Sequence, residues 1–81
     1  MKVTVCFYSY LKDVTGCSRI IEELPERSTL EALWDKLSQQ FPKLKSMKQS
    51  VLMAVGVDYQ QGGYELKEDD EVSLFPPVQG G

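Results

Sequence analysis

The 81-residue chain predicts a two-layer α+β domain, a mixed sheet of four to five strands with one main helix packed on one face. Three observations predict it. Apolar and polar residues alternate with period two near both ends of the chain. One long stretch, beginning at Ser28, has helical periodicity behind a capping signal. The elements follow in the order strand, strand, helix, strand, short strand, strand, which suits one helix covering one sheet.

From Lys2 to Ser9 the residues alternate as a strand, with Val3, Val5 and Phe7 on one face and Thr4, Cys6 and Tyr8 on the other. Tyr10 to Val14 reads as a short helical turn closed by Thr15-Gly16. Arg19 to Leu24 is a second strand, Ile20 and Ile21 followed by Glu22 and Glu23, and it returns antiparallel to the first through a long connection. Pro25-Glu26-Arg27 breaks it.

Ser28-Thr29-Leu30-Glu31 is a capping box, in which the Ser28 hydroxyl accepts from the Glu31 amide and Glu31 reaches back. The helix is expected from about Thr29 to Gln40. Leu30, Leu33, Trp34, Leu37 and Phe41 fall on one continuous face, the side that meets the core. Pro42 ends it. Lys43 to Ser50 reads as a solvated, lysine-rich connection.

Val51 to Tyr59 is expected as one central strand, apolar on both faces because helix and neighbours cover it. A polar loop takes over from Asp58 to Gly63, Tyr64-Glu65-Leu66 forms a short strand or bridge, and Lys67 to Asp70 is a charged, solvated turn. Glu71 to Phe75 is the last strand, with Val72 and Leu74 inward and Ser73 and Phe75 outward.

Composition narrows the function. A chain this size buries a little over 60% of its unfolded surface and has a stability on the order of 5 kcal/mol. With 9 basic against 12 acidic residues the net charge is −3, which argues against nucleic acid as a partner. No stretch is apolar enough for a membrane span and Met1-Lys2 leads straight into a strand, so a cytoplasmic setting is expected. The absence of histidine removes Ser-His-Asp and Cys-His catalysis and most catalytic zinc sites. Cys6 and Cys17 match no metal spacing; Cys6 reads as a small buried hydrophobe and Cys17 lies near a turn.

The last residues carry the chemistry. Residues 1–75 read as the domain and 76–81 as an extended tail. Pro76-Pro77 favours extended geometry, and Gly80-Gly81 has no side chains to obstruct a narrow passage. Six residues reach roughly 20 Å at about 3.3 Å each. A carboxylate needs activation before it reacts, and no phosphate-binding glycine loop is present to supply it. A reactive terminus therefore requires a partner enzyme that uses ATP; no cofactor is expected on this chain itself.

Asp70-Glu71-Val72 followed by Phe75-Pro76-Pro77-Val78-Gln79-Gly80-Gly81 resembles the C-terminus of the small subunit of molybdopterin synthase, the MoaD family, whose members typically end D-E-V-x-x-(F/I)-P-P-V-(S/T)-G-G. The likeness covers the whole chain in length, in its Val-rich first strand, in the helix near residue 30 and in the Ala54-Val55 strand. Gln79 stands where Ser or Thr is usual, and Gly56 where Asn is common. The resemblance implies a β-grasp, or ubiquitin-like, fold with the first and last strands adjacent at the centre. It implies a sulfur carrier rather than an autonomous enzyme. A ubiquitin-activating-like enzyme adenylates Gly81, a sulfur donor protein converts it to a thiocarboxylate, and the tail enters the large synthase subunit of a heterotetramer to give sulfur to the pyranopterin precursor. In this reading Gly81 carries the reacting group, Gly80 passes the channel, and Phe75, Pro76, Pro77 and Val78 serve docking. A carrier for thiamine or tRNA thiolation, and a non-catalytic β-grasp interaction module, remain the alternatives.

Overall fold

Five strands form one sheet in the computed structural model, which describes residues 1–76. β1 is Lys2–Phe7, β2 Arg19–Glu23, β3 Leu52–Val55, β4 Asp58–Tyr59 and β5 Glu71–Phe75, in the order β2-β1-β5-β3-β4. Helix α1 spans Leu11–Thr15 and α2 spans Leu30–Gln40; a 3₁₀ helix, Pro42–Ser50, follows α2. β1 and β5 pair in parallel at the centre, with Val5 beside Val72, and the other pairs are antiparallel. This is the β-grasp arrangement that the resemblance implied.

Strand alternation and helix periodicity meet in one core. Val3, Val5, Phe7, Val55, Val72 and Leu74 come from the sheet and Leu30, Leu33, Trp34 and Leu37 from α2, all buried. Phe41, at the end of the helical stripe, is half-buried and meets the Phe7 ring edge-on at 5.9 Å. The connection after α2 is ordered as the 3₁₀ helix because Leu44 is fully buried, while Lys43, Lys45 and Lys48 stay exposed. Cys6 is buried as expected, and Cys17 is half-buried beside Thr15.

Three local expectations are corrected. The helix cap is Thr29, whose hydroxyl accepts from the Ala32 amide at 3.2 Å, whereas the Ser28 hydroxyl donates to the Pro25 carbonyl at 2.7 Å. The capping box does not form because the polar loop supplies the missing acceptors. The Leu30 amide donates to the Tyr64 carbonyl and the Glu31 amide to the Gly62 carbonyl, both at 3.0 Å.

The segment from Val51 to Tyr59 is not one strand. It turns at Gly56-Val57 into the β3–β4 hairpin, with Val55 opposite Asp58. Gly56 has φ 61°, a left-handed conformation that glycine adopts without steric cost, at the first central position of a two-residue turn. Val57, read as interior, is almost wholly exposed at the turn tip.

Ser73 points away from α2 as expected, yet it is buried, flanked across the sheet by Cys6 and Ala54. Glu22 is also buried, because its register with Val3 turns it toward the helix layer. There the Lys36 Nζ lies 3.1 Å from its carboxylate and the Gln40 amide donates to it at 3.3 Å.

Candidate functional site

The alternation that sends Val72 and Leu74 into the core sends Phe75 to the opposite face of the sheet. Tyr8, the residue after β1, extends the central ladder by donating its amide to the Leu74 carbonyl at 3.1 Å, and it shares that face. Leu52 stands directly opposite Phe75 on β3. Tyr59 reaches the same place from β4, where it pairs with Ala54. Three strands and one strand end thus converge on the point where the chain leaves the sheet.

The Phe75 ring lies 5.5 Å from that of Tyr8, tilted by 40°, and 5.9 Å from that of Tyr59, nearly edge-on at 77°. Both are favourable aromatic geometries. Phe75 is half-buried by these neighbours, while Tyr8 is 45%, Leu52 39% and Tyr59 67% exposed. The result is an apolar cluster with aromatic faces open to solvent and no charged side chain among its four members. Pro76 follows directly and is half-exposed.

Farther along the same face the character changes. Cys6, Ser73 and Ala54 form a row of small buried residues; Arg19, beside Cys6 on β2, approaches Glu71 at 4.0 Å on the exposed surface, and Ile21, opposite Thr4, is exposed. The aromatic cluster is therefore local to the tail root. It offers apolar area and rings of the kind a partner can cover, and its four side chains supply no acid–base pair. Among the described residues no group of three or more His, Cys, Asp or Glu is placed to hold a metal ion.

Of the sequence-predicted site residues, the structure brings Phe75 and Pro76 to this cluster. Pro77, Val78, Gly80 and Gly81 lie outside the described residues. Tyr8, Leu52 and Tyr59 were not singled out by the sequence reading. Tyr8 already stood on the outer face of its strand; Leu52 and Tyr59 become legible only once the β3–β4 hairpin and its register are known.

The terminal motif and this fold agree with what is known of other proteins. The ThiS family matches residues 5–81. The chain belongs to the ThiS family. Within that setting it is 31% identical over 80 residues to the molybdopterin synthase sulfur carrier subunit of Dictyostelium discoideum, covering 95% of this chain and 93% of that protein. A Pyrococcus furiosus structure assigned as molybdopterin converting factor subunit 1 superposes with a TM-score of 0.90 at 28% identity, covering 96% of this chain and 99% of the other. A chain of the Helicobacter pylori complex of subunits 1 and 2 of the molybdopterin-converting factor superposes with a TM-score of 0.72 at 26% identity, over the full length of both chains. The resemblance to the molybdopterin synthase small subunit, drawn from the terminal motif, is borne out by these relatives.

Proposed function

We infer that this ThiS-family chain is the sulfur carrier subunit of a molybdopterin synthase. The observation that carries the reading is the end-to-end likeness to a molybdopterin synthase sulfur carrier subunit. The Phe75-to-Gly81 motif and the apolar cluster at its root support it.

The Gly81 carboxylate attacks the α-phosphate of ATP in an activating enzyme, forming an acyl adenylate and releasing pyrophosphate. A sulfur donor then displaces AMP and leaves a thiocarboxylate on Gly81. Inside the large synthase subunit that sulfur is given to the pyranopterin precursor. This chain contributes a stalk thin enough to enter both enzymes, Pro76-Pro77 to limit the freedom lost on insertion, and an apolar face to dock. ATP is held by the activating partner.

The large synthase subunit is the partner, and the apolar face is where it docks in this reading; in Helicobacter pylori, subunits 1 and 2 of the molybdopterin-converting factor form a complex. The activating enzyme and the sulfur donor protein complete the set of partners, and the cycle belongs to the cytoplasm. Among the described residues no helix is long and apolar enough to cross a membrane.

Intact mass spectrometry tests the reading. After incubation with ATP, an activating enzyme and a sulfur donor, one oxygen at the C-terminus is exchanged for sulfur. The large subunit and precursor then reverse that exchange as molybdopterin forms. An unchanged mass, or a thiocarboxylate that the large subunit leaves intact, refutes it.

A further inference from the structure

We propose that Tyr8 and Tyr59 are positioning residues that set the direction in which the sulfur-bearing tail leaves the domain. The proposal rests on the carrier reading above and adds a role for side chains that need not touch sulfur or substrate.

The tail is a lever. From Pro76 to Gly81 it reaches roughly 20 Å when extended, so a swing of about 30° at its root moves the tip by about 10 Å. A reacting atom must be placed far more closely than that; a misplacement of about 1 Å costs on the order of 100-fold in rate. Two prolines stiffen the stalk but do not aim it. Its aim depends on the last residue held by the sheet, Phe75.

Phe75 is held on both sides. Tyr8 lies against its ring at 5.5 Å from the β1 side, and Tyr59 meets it edge-on at 5.9 Å from the β4 side. Leu52, opposite in register, occupies the interval between Phe75 and β4. The Tyr59 contact explains an otherwise costly arrangement. β4 is only two residues long, and Tyr59 is 67% exposed, so it adds little to the core. The hairpin turn at Gly56 nonetheless carries it back across β3 to the tail root. Rigid rings with few rotatable bonds suit such a bracket better than aliphatic chains.

The test uses full-length carrier charged to the thiocarboxylate, mixed in single turnover with large subunit and precursor over a range of large-subunit concentrations. Tyr59→Ala, and more so Tyr8→Ala with Tyr59→Ala, is expected to lower the saturated transfer rate by about tenfold or more. Tyr59→Phe, which keeps the ring, recovers the rate lost in Tyr59→Ala. In the free carrier the Phe75 amide order parameter falls in the Ala variants and returns in Tyr59→Phe. Exposure of both tyrosines means the variants fold, as the unchanged amide spectrum of the core will report. A higher half-saturation concentration with an unchanged saturated rate would overturn the proposal, because the rings would then be docking contacts alone. An unaltered Phe75 order parameter would also overturn it. Failure of the wild-type carrier to transfer sulfur ends the carrier reading and the proposal together, whereas full-rate Tyr variants end the proposal only.

Discussion

One sheet presents two different surfaces. Toward α2 it shows Val3, Val5, Phe7, Val55, Val72 and Leu74, all buried and matched by leucines and Trp34 of the helix. On the opposite side it shows Tyr8, Leu52, Tyr59 and Phe75 around the tail root, then small buried residues, then Arg19 and Glu71 with the exposed Ile21. Both surfaces come from the same alternation along the same strands. The helix side uses aliphatic side chains, with Phe7 and Trp34, that pack densely and are buried. The other side uses aromatic side chains whose faces are only partly covered, the composition of a partner-binding centre rather than of a core. If the outer cluster docks a partner as proposed, stability and recognition are separated across the sheet at the tail root, where the parity of a position decides which of the two a substitution affects.

The largest effect that would sharpen this contrast falls beyond both surfaces. Gly81→Ala is expected to reduce sulfur transfer by about 100-fold or more while leaving thermal unfolding unchanged, since a methyl group at the tip meets the channel and not the core. A fully active Gly81→Ala carrier would contradict the narrow-passage requirement. On the helix side, Leu33→Ala or Leu37→Ala should cost roughly 2–5 kcal/mol in urea denaturation, since both side chains are fully buried. Binding of the large subunit by the molecules that remain folded should be nearly unaffected; a large loss of affinity there would erase the distinction between the faces.

Phe75→Ala makes the converse change. Calorimetry against the large subunit should show a loss of about 2 kcal/mol or more, as for a central aromatic anchor, and an affinity within twofold of wild type would remove this face as the docking surface. The smallest effect tests the corrected helix start. Thr29→Ala should cost about 1 kcal/mol of stability because the Ala32 amide loses its acceptor, with Ser28→Ala costing less. The reverse order would restore the capping box.

How much of this was legible in the sequence depended on the range of the interaction concerned. The α2 stripe, the β1 and β5 alternation and the breaks at Pro25 and Pro42 are local patterns, and each appears where its residues predict. The stretch from Val51 to Tyr59 hid a hairpin, because only Gly56 interrupts its apolar run before Asp58 and a lone glycine is compatible with a continuous strand. The helix cap falls one residue later than the sequence predicts because the Glu31 amide donates to the Gly62 carbonyl, some thirty positions away, instead of to the Ser28 hydroxyl. Glu22 and Glu23 look alike in the sequence, and pairing with β1 alone decides that Glu22 is buried against Lys36 and Gln40. For the candidate site, Phe75 and Pro76 were visible through the terminal motif. The ring of residues around Phe75 was not, since Tyr8, Leu52 and Tyr59 belong to three separate segments joined by register.

The placement of the last strand at the centre of the sheet bears on how the protein is made. β1 has no parallel neighbour, and β3 no bridge to it, until Glu71–Phe75 has been synthesised. The β1–β5 pairing spans nearly the whole chain, and such non-local closure comes late in folding. A nascent chain interrupted before residue 71 therefore lacks the strand that joins its two halves. Proteolysis should remove such fragments quickly, so that molecules surviving to meet a partner carry the root of the stalk.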